Sequence, residues 1–373
     1  MSSKGYFVAS GLSLALAGCA GSAAGLTPGT TGATAQSTTQ ANVSPDATKL
    51  NIPTRTPSSV QTASKKSGGP TVYAEGENDA HKPIVVVYGN GGSTFLRTIK
   101  QGAAIAADSS GYVYIAHNPV TVYTDQGKTL VQKFPVLNGP GSNVIAADGL
   151  GNFYVICGHK PYKTTLCEYT IGKQGPVRQL DATAFGSIAT DASGNVYLGI
   201  GYNDVVIYGP SGTSPLRTIS SSIAGPRLLA VDPQGNLFVA NTNSATSSIP
   251  DIVVYAAGAS IPSRTITDGV NSPYEIQIDS SGNLGLINGY NGTAPPNVTI
   301  YAPGSSSPLK VITNNIDGPT SLAFDQSDNL YVVNSGSSFR DPGNITVYAA
   351  ASYSVTRTIT KKLNDPLRVA VGP

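Results

Sequence analysis

Charge is scarce in this chain: only 12% of its 373 residues are Asp, Glu, Lys or Arg, and the net charge is +2. Without clustered Lys and Arg there is no electrostatic footprint for nucleic acid, and the lone Lys65-Lys66 pair is too small to make one. Tryptophan is absent, and the three cysteines and three histidines have no zinc-site spacing. A Gly-rich phosphate loop and a Ser-His-Asp pattern are also missing, so no catalytic motif stands out. Apolar runs are short. The one near the start, residues 6–17, is shorter than a bilayer requires, and no second run follows it.

What the chain has in quantity is glycine, small polar residues and a repeat. The fullest copy runs Gly225-Pro226-Arg227-Leu228-Leu229-Ala230-Val231-Asp232-Pro233-Gln234-Gly235-Asn236-Leu237-Phe238-Val239-Ala240-Asn241, then Asp251-Ile252-Val253-Val254-Tyr255 and Arg264-Thr265-Ile266. It reads as four short strands. The Asp that closes the first strand recurs at Asp108, Asp148, Asp191, Asp232, Asp279 and Asp325. A Tyr ends the third strand at Tyr88, Tyr123, Tyr169, Tyr208, Tyr255, Tyr301 and Tyr348. Arg-Thr-Ile or a looser version marks the outer strand. Four antiparallel strands cannot bury both faces alone, so the copies must pack on one another.

Six inner strands end in Asp, whereas seven third strands end in Tyr. The chain ends resolve the mismatch. Residues 71–76, 84–88 and 95–99 supply a second, third and outer strand without an inner one, and residues 365–373 supply an inner strand with nothing after it. Joined, they complete a seventh unit and leave no free sheet edge. Residues 69–373 then hold seven units of about 44 residues, a propeller spacing. The expected fold is all-β: a seven-bladed β-propeller of four-stranded antiparallel blades, closed by one C-terminal and three N-terminal strands.

The motif Gly-Pro-x-x-Leu-Ala-x-Asp-x-x-(Gly/Asp)-Asn-Leu-(Tyr/Phe)-Val-x-Asn, clearest at 225–241 and 318–334, resembles the NHL-type repeat of six- and seven-bladed propellers. The resemblance covers about four-fifths of the chain and implies architecture, since such propellers include both enzymes and binding platforms. At the other end, Lys4, the apolar run and Leu16-Ala17-Gly18-Cys19 resemble the signal and lipobox of bacterial lipoproteins. That resemblance implies cleavage of residues 1–18 and lipidation of Cys19, hence a cell-envelope, extracytoplasmic protein. Ala20, rather than Asp, implies the outer membrane if the source is Gram-negative. Residues 19–68 carry almost no large apolar side chain and read as a disordered tether with a reach of roughly 40 Å.

The turn aspartates are expected to accept hydrogen bonds from the backbone that follows them, and the tyrosines to pack inside the blades. Cys157 and Cys167 fall on neighbouring second and third strands, symmetric about their loop, and are either a disulfide or two small buried side chains. His81, His117 and His159 follow the second strands of successive blades and read as independent surface residues. One repeat column, six residues beyond the turn glycine, reads Glu75, His117, Cys157, Ile200, Asn241, Asn288 and Asn334 around the ring. Propeller lactonases hold a divalent cation with Glu, Asn and Asp, and Glu75 with three Asn resembles that set. A metal-dependent lactonase- or lyase-like enzyme therefore stays open as the alternative, but no repeat supplies the acidic pair such chemistry wants. No catalytic residue, metal or cofactor is assigned.

The preferred reading is a monomeric, non-enzymatic platform for an envelope protein or glycan. Long loops at 241–250, 288–296 and 334–343 open on one face of three consecutive blades. Tyr290, Phe339 and Arg340 in those loops, with Arg227, Tyr274, Glu275 and Arg368 at the inner-strand starts, are the expected binding residues beside Glu75, His117 and the three Asn.

Overall fold

The structure is a computed structural model. It describes residues 69–373 except 79, 103, 125, 137–143, 161–162, 183–184, 242–249, 291, 293 and 337–341. The expected signal peptide, Cys19, the tether, Phe339 and Arg340 lie outside the described residues.

Among the described residues, twenty-eight strands form seven four-stranded antiparallel sheets. Six blades are continuous in sequence, spanning 105–134, 145–181, 185–219, 226–266, 273–312 and 319–359, and are numbered 1 to 6 here. The seventh takes its inner strand, Arg368–Gly372, from the C-terminus and its other three, Thr71–Glu77, Pro83–Gly89 and Thr94–Ile99, from the N-terminal end of the domain. Glu75 pairs with Arg368 and Thr71 with Gly372 in this closing blade. The one-plus-three closure expected from the repeat count is what the sheet shows.

The core is divided in the same way. Its buried side chains fall into seven clusters, each lying between two adjacent blades. The closing blade has a cluster on both sides: Val72, Val86 and Tyr88 pack against blade 6, while Tyr73, Val85 and Val87 pack against blade 1. Alternate residues of each strand therefore face opposite neighbours, as the pleat requires. Every seam is filled, so the ring is closed.

The turn between first and second strands shows why the repeat keeps Asp, Gly, Asn and Tyr together. In blade 3, one oxygen of Asp191 accepts the amides of Ser193 and Asn195, and the other accepts the Asn195 side chain and the Tyr197 hydroxyl. Gly194 holds a φ of 79°, which a residue without Cβ adopts at little cost. Blades 2 and 6 repeat all four bonds through Asp148 and Asp325. Blade 5 places Gly285 where these blades have Tyr. A Cβ there would stand 3.0 Å from the ring of Phe324 in blade 6, which fills the space.

Cys157 and Cys167 are joined by a disulfide, with Cα atoms 5.6 Å apart. They are not direct cross-strand partners, as the symmetry of the sequence implied. Cys167 faces Val155, and a bulge between the Leu166–Ile156 and Thr165–Gly158 pairs leaves Cys157 as the extra residue. The bulge re-aims it across the pair.

Candidate binding face

The disc has two unlike faces. Inner strands start and second strands end on one, here the mouth face; the Asp turns and the third-to-outer-strand turns lie on the other, the turn face. The connectors between blades cross the mouth face, and side chains at fixed repeat positions hold them down.

The three Asn of the repeat column belong to that holding system. Asn334 is 1% exposed; its Oδ1 accepts the Asp317 amide, and its Nδ2 donates to the Asn315 carbonyl, Asn344 Oδ1 and Thr346 Oγ1. Asn288 does the same with Asn271, Gly269, Asn297 and Thr299, and Asn241 with Ala224, Ser222 and Asp251. Each amide ties the connector that enters its own blade to the start of its third strand. The strand-ending tyrosines grip the same connectors: Tyr301 donates to Asp268 O, Tyr348 to Asn314 O and Tyr255 to Ser221 O. Tyr88 donates to Lys361 O at 2.6 Å, so the grip is repeated where the ring closes. Burial pushes these tyrosine hydroxyls above their ordinary range, Tyr348 to about 12. They are donors, not acids.

This corrects the expectation that Asn241, Asn288 and Asn334 face a ligand. Buried amides must be hydrogen-bonded, and these find their partners inside the fold. The cation set that resembled a lactonase loses three of its four members. Glu75, the fourth, is 4% exposed and paired with Arg368 at 2.7 Å. Burial pushes its carboxyl up while the guanidinium beside it pulls the other way. Among the described residues, no group of three or more His, Cys, Asp or Glu is placed to hold a metal ion. His117 is exposed and within reach of the Asn118 carbonyl, and His81 pairs with Glu77 at 2.9 Å on the surface.

What the mouth face does assemble is a polar channel rim edged by exposed tyrosines. Inner strands leave one edge of backbone groups unpaired toward the channel, and in blades 3, 5 and 6 the side chain four residues before the turn Asp serves that edge in the next blade. Ser187 donates to Pro226 O, a Glu275 carboxylate oxygen accepts the Leu322 amide, and Ser321 Oγ accepts the Val369 amide. Arg368 occupies the same position in the closing blade. Its side chain is 40% exposed, so donors beyond the Glu75 pair reach solvent. Burial raises Glu275 to about 7, partly offset by its hydrogen bonds and by Arg368. The rim thus carries one carboxyl that titrates near neutrality beside a guanidinium.

Outside this rim stand Arg227 and Tyr274. Each is a bulge residue, following the proline that opens its inner strand and cannot donate to the ladder. Tyr274, Tyr290 and Tyr202 are 56%, 74% and 78% exposed. Tyr202 was not among the expected residues, although its place in the three-residue turn after Ile200 leaves it nothing to pack on. Its carbonyl accepts the Gly225 amide, which sets it beside the strand that carries Arg227. A cavity of about 630 Å³ opens elsewhere, on the turn face, among Thr190, Asp191, Asp232, Gln234, Asp279 and Ser280. Its carboxylates are those already committed to the Asp turns.

No protein-family model and no curated protein matches the sequence. Among solved structures, the chain is similar to the crystal structure of a functionally unknown protein from Desulfotomaculum acetoxidans DSM 771. The TM-score is 0.62 at 13% identity, covering 82% of this chain and 99% of that one. At that identity the likeness speaks to the fold alone.

Proposed function

We propose that this protein is a lipid-anchored, extracytoplasmic β-propeller that captures an envelope glycan or protein on its mouth face. The observation that carries the reading is the trio Tyr202, Tyr274 and Tyr290, exposed on one face of blades 3 to 5 with Arg227 among them. Among the described residues the other tyrosines are buried or half-buried, which makes these three stand out. Aromatic rings with a polar tip and an accessible guanidinium are the side chains that anchor bound partners most strongly. A propeller suits the task because its strands hold such loops rigidly. The Cys157–Cys167 bond supports export, since disulfides persist in oxidising compartments. The lipobox resemblance at Cys19 supplies the anchor, and the NHL-type motif is the repeat class this platform belongs to.

The test uses the full chain and envelope fractions of its own source, intact and after glycan digestion. Wild type is expected to be retained, while the combined Tyr202→Ala, Tyr274→Ala and Tyr290→Ala variant loses retention by about tenfold or more with its melting temperature unchanged. Loss after glycan digestion identifies a glycan; persistence identifies a protein. Undiminished retention of the variant removes the mouth face from the proposal. Separately, Cys19→Ala is expected to leave the membrane fraction or to accumulate as precursor. An unchanged mass and partition would refute the anchor.

A further inference from the structure

The exposed large apolar residues are sorted by face. The tyrosines are on the mouth face, whereas the exposed aliphatics, Leu367 apart, gather on the turn face and the outer strands next to it. They also recur in register. Val177, Leu216 and Leu309 each immediately precede the basic residue of the outer strand and each donate the amide that opens its pairing with the third strand. Ser263 takes that place in blade 4, and Ile261 projects two residues earlier. Leu216, Ile261 and Leu309 are 70%, 75% and 57% exposed. Single exposed leucines need no explanation, but an arc of them at one height on consecutive blades does.

Two further features give this arc an occupant. The first is where the preceding chain joins the disc. The Pro70 carbonyl accepts the Gly91 amide in the third-to-outer turn of the closing blade, and Thr71 Oγ1 reaches the Pro373 carbonyl. Residues 1–68 are therefore covalently attached at the turn face. The second is charge. The turns around the arc, 209–216, 256–263 and 302–309, hold no Asp, Glu, Lys or Arg, and the neighbouring turn 170–177 holds only Lys173. The turn aspartates beside them are mostly buried and consumed by their own backbone. A rim whose turns carry no charge but Lys173, with projecting aliphatics, loses little solvation at a headgroup–acyl boundary, and interfacial binding grows with apolar area inserted.

We propose that the aliphatic arc of the turn face rests on the surface of the lipid bilayer, leaving the tyrosine-bearing mouth face turned away from it. The orientation rests on the lipid anchor proposed above. It explains why tyrosines and aliphatics are segregated: one face meets the partner, the other meets lipid.

The absence of tryptophan makes the test direct. The full chain carrying Leu216→Trp, Leu309→Trp or Tyr290→Trp is reconstituted in phosphatidylcholine vesicles, with and without brominated acyl chains. Emission from positions 216 and 309 is expected to shift to the blue and to be quenched by the brominated lipid, while position 290 does neither. If mass shows lipid on Cys19 and the protein floats with the vesicles, but positions 216 and 309 stay unquenched, the docking is overturned and the anchor stands. If Cys19 carries no lipid, the anchor fails, and quenching on added vesicles still decides for or against the arc. Quenching at 290 overturns the orientation. So does a blue shift at 216 that grows with protein concentration without vesicles, because the arc would then be covered by a second copy of the chain.

Discussion

Asn334→Ala separates a structural amide from a ligand-binding one. The native side chain is 1% exposed and joins the Asp317 amide, the Asn315 carbonyl, Asn344 and Thr346. Each neutral hydrogen bond is worth about 0.5–1.5 kcal/mol net, and leaving a buried partner unsatisfied costs about 1–3 kcal/mol. Asn344 and Thr346 bond each other at 3.1 Å and so keep a partner, which leaves the two backbone groups as the main loss. The expected destabilisation is about 2–4 kcal/mol. For a domain of about 300 residues the unfolding entropy is about 0.6 kcal/mol per degree, so the melting temperature should fall by about 3–6 °C. Calorimetry of the full chain measures the fall, and Thr346→Val in the Asn334→Ala background should add less than it does alone, since the two groups share one network. An unchanged melting temperature, or full additivity, would show that the amide does not hold the connector and would return Asn334 to the list of ligand-facing residues.

Glu275→Gln tests the channel rim through pH. The folded carboxyl titrates at about 7 against an ordinary value of 4.5, so between those values the folded protein holds a proton that the unfolded chain has released. Stability from this group is thus fully present below pH 4.5 and lost as pH rises through 7. The ceiling is about 3 kcal/mol, and solvent at the half-buried side chain reduces it to about 1–2 kcal/mol. Melting curves of wild type and variant should converge near pH 4.5 and separate by pH 8 in favour of the variant; a gap that does not change with pH contradicts the assignment. Deletion of residues 365–373 removes the inner strand that pairs with 71–75 and strips one wall from both seams of the closing blade. Aggregation or loss of cooperative melting is expected, and a soluble truncated protein with the wild-type transition would refute the closure. Denatured, unreduced protein should show no titratable thiol at Cys157 or Cys167; two free thiols there would remove the disulfide that supports export.

The repeat was legible in the sequence because turn chemistry is local. An Asp whose side chain binds the amides two and four residues later needs nothing from the rest of the chain, so the Asp turn marks six of the seven blades, four of them as Asp-x-x-Gly-Asn. Blade number and the one-plus-three closure followed from counting such marks. The roles of the remaining polar residues were not local and were decided by the tertiary structure. Asn288 and Glu275 look alike in sequence, each a polar residue at the mouth end of a strand. Packing of the incoming connector buries the first and consumes its amide, while the second lies half-buried on the channel rim, where burial raises its carboxyl to about 7. The same holds for Cys157, which a bulge rather than strand register brings to Cys167. Strand direction alone put Tyr290 on the mouth face, but the arc that joins Leu216 to Leu309 exists only once ring closure sets consecutive blades side by side.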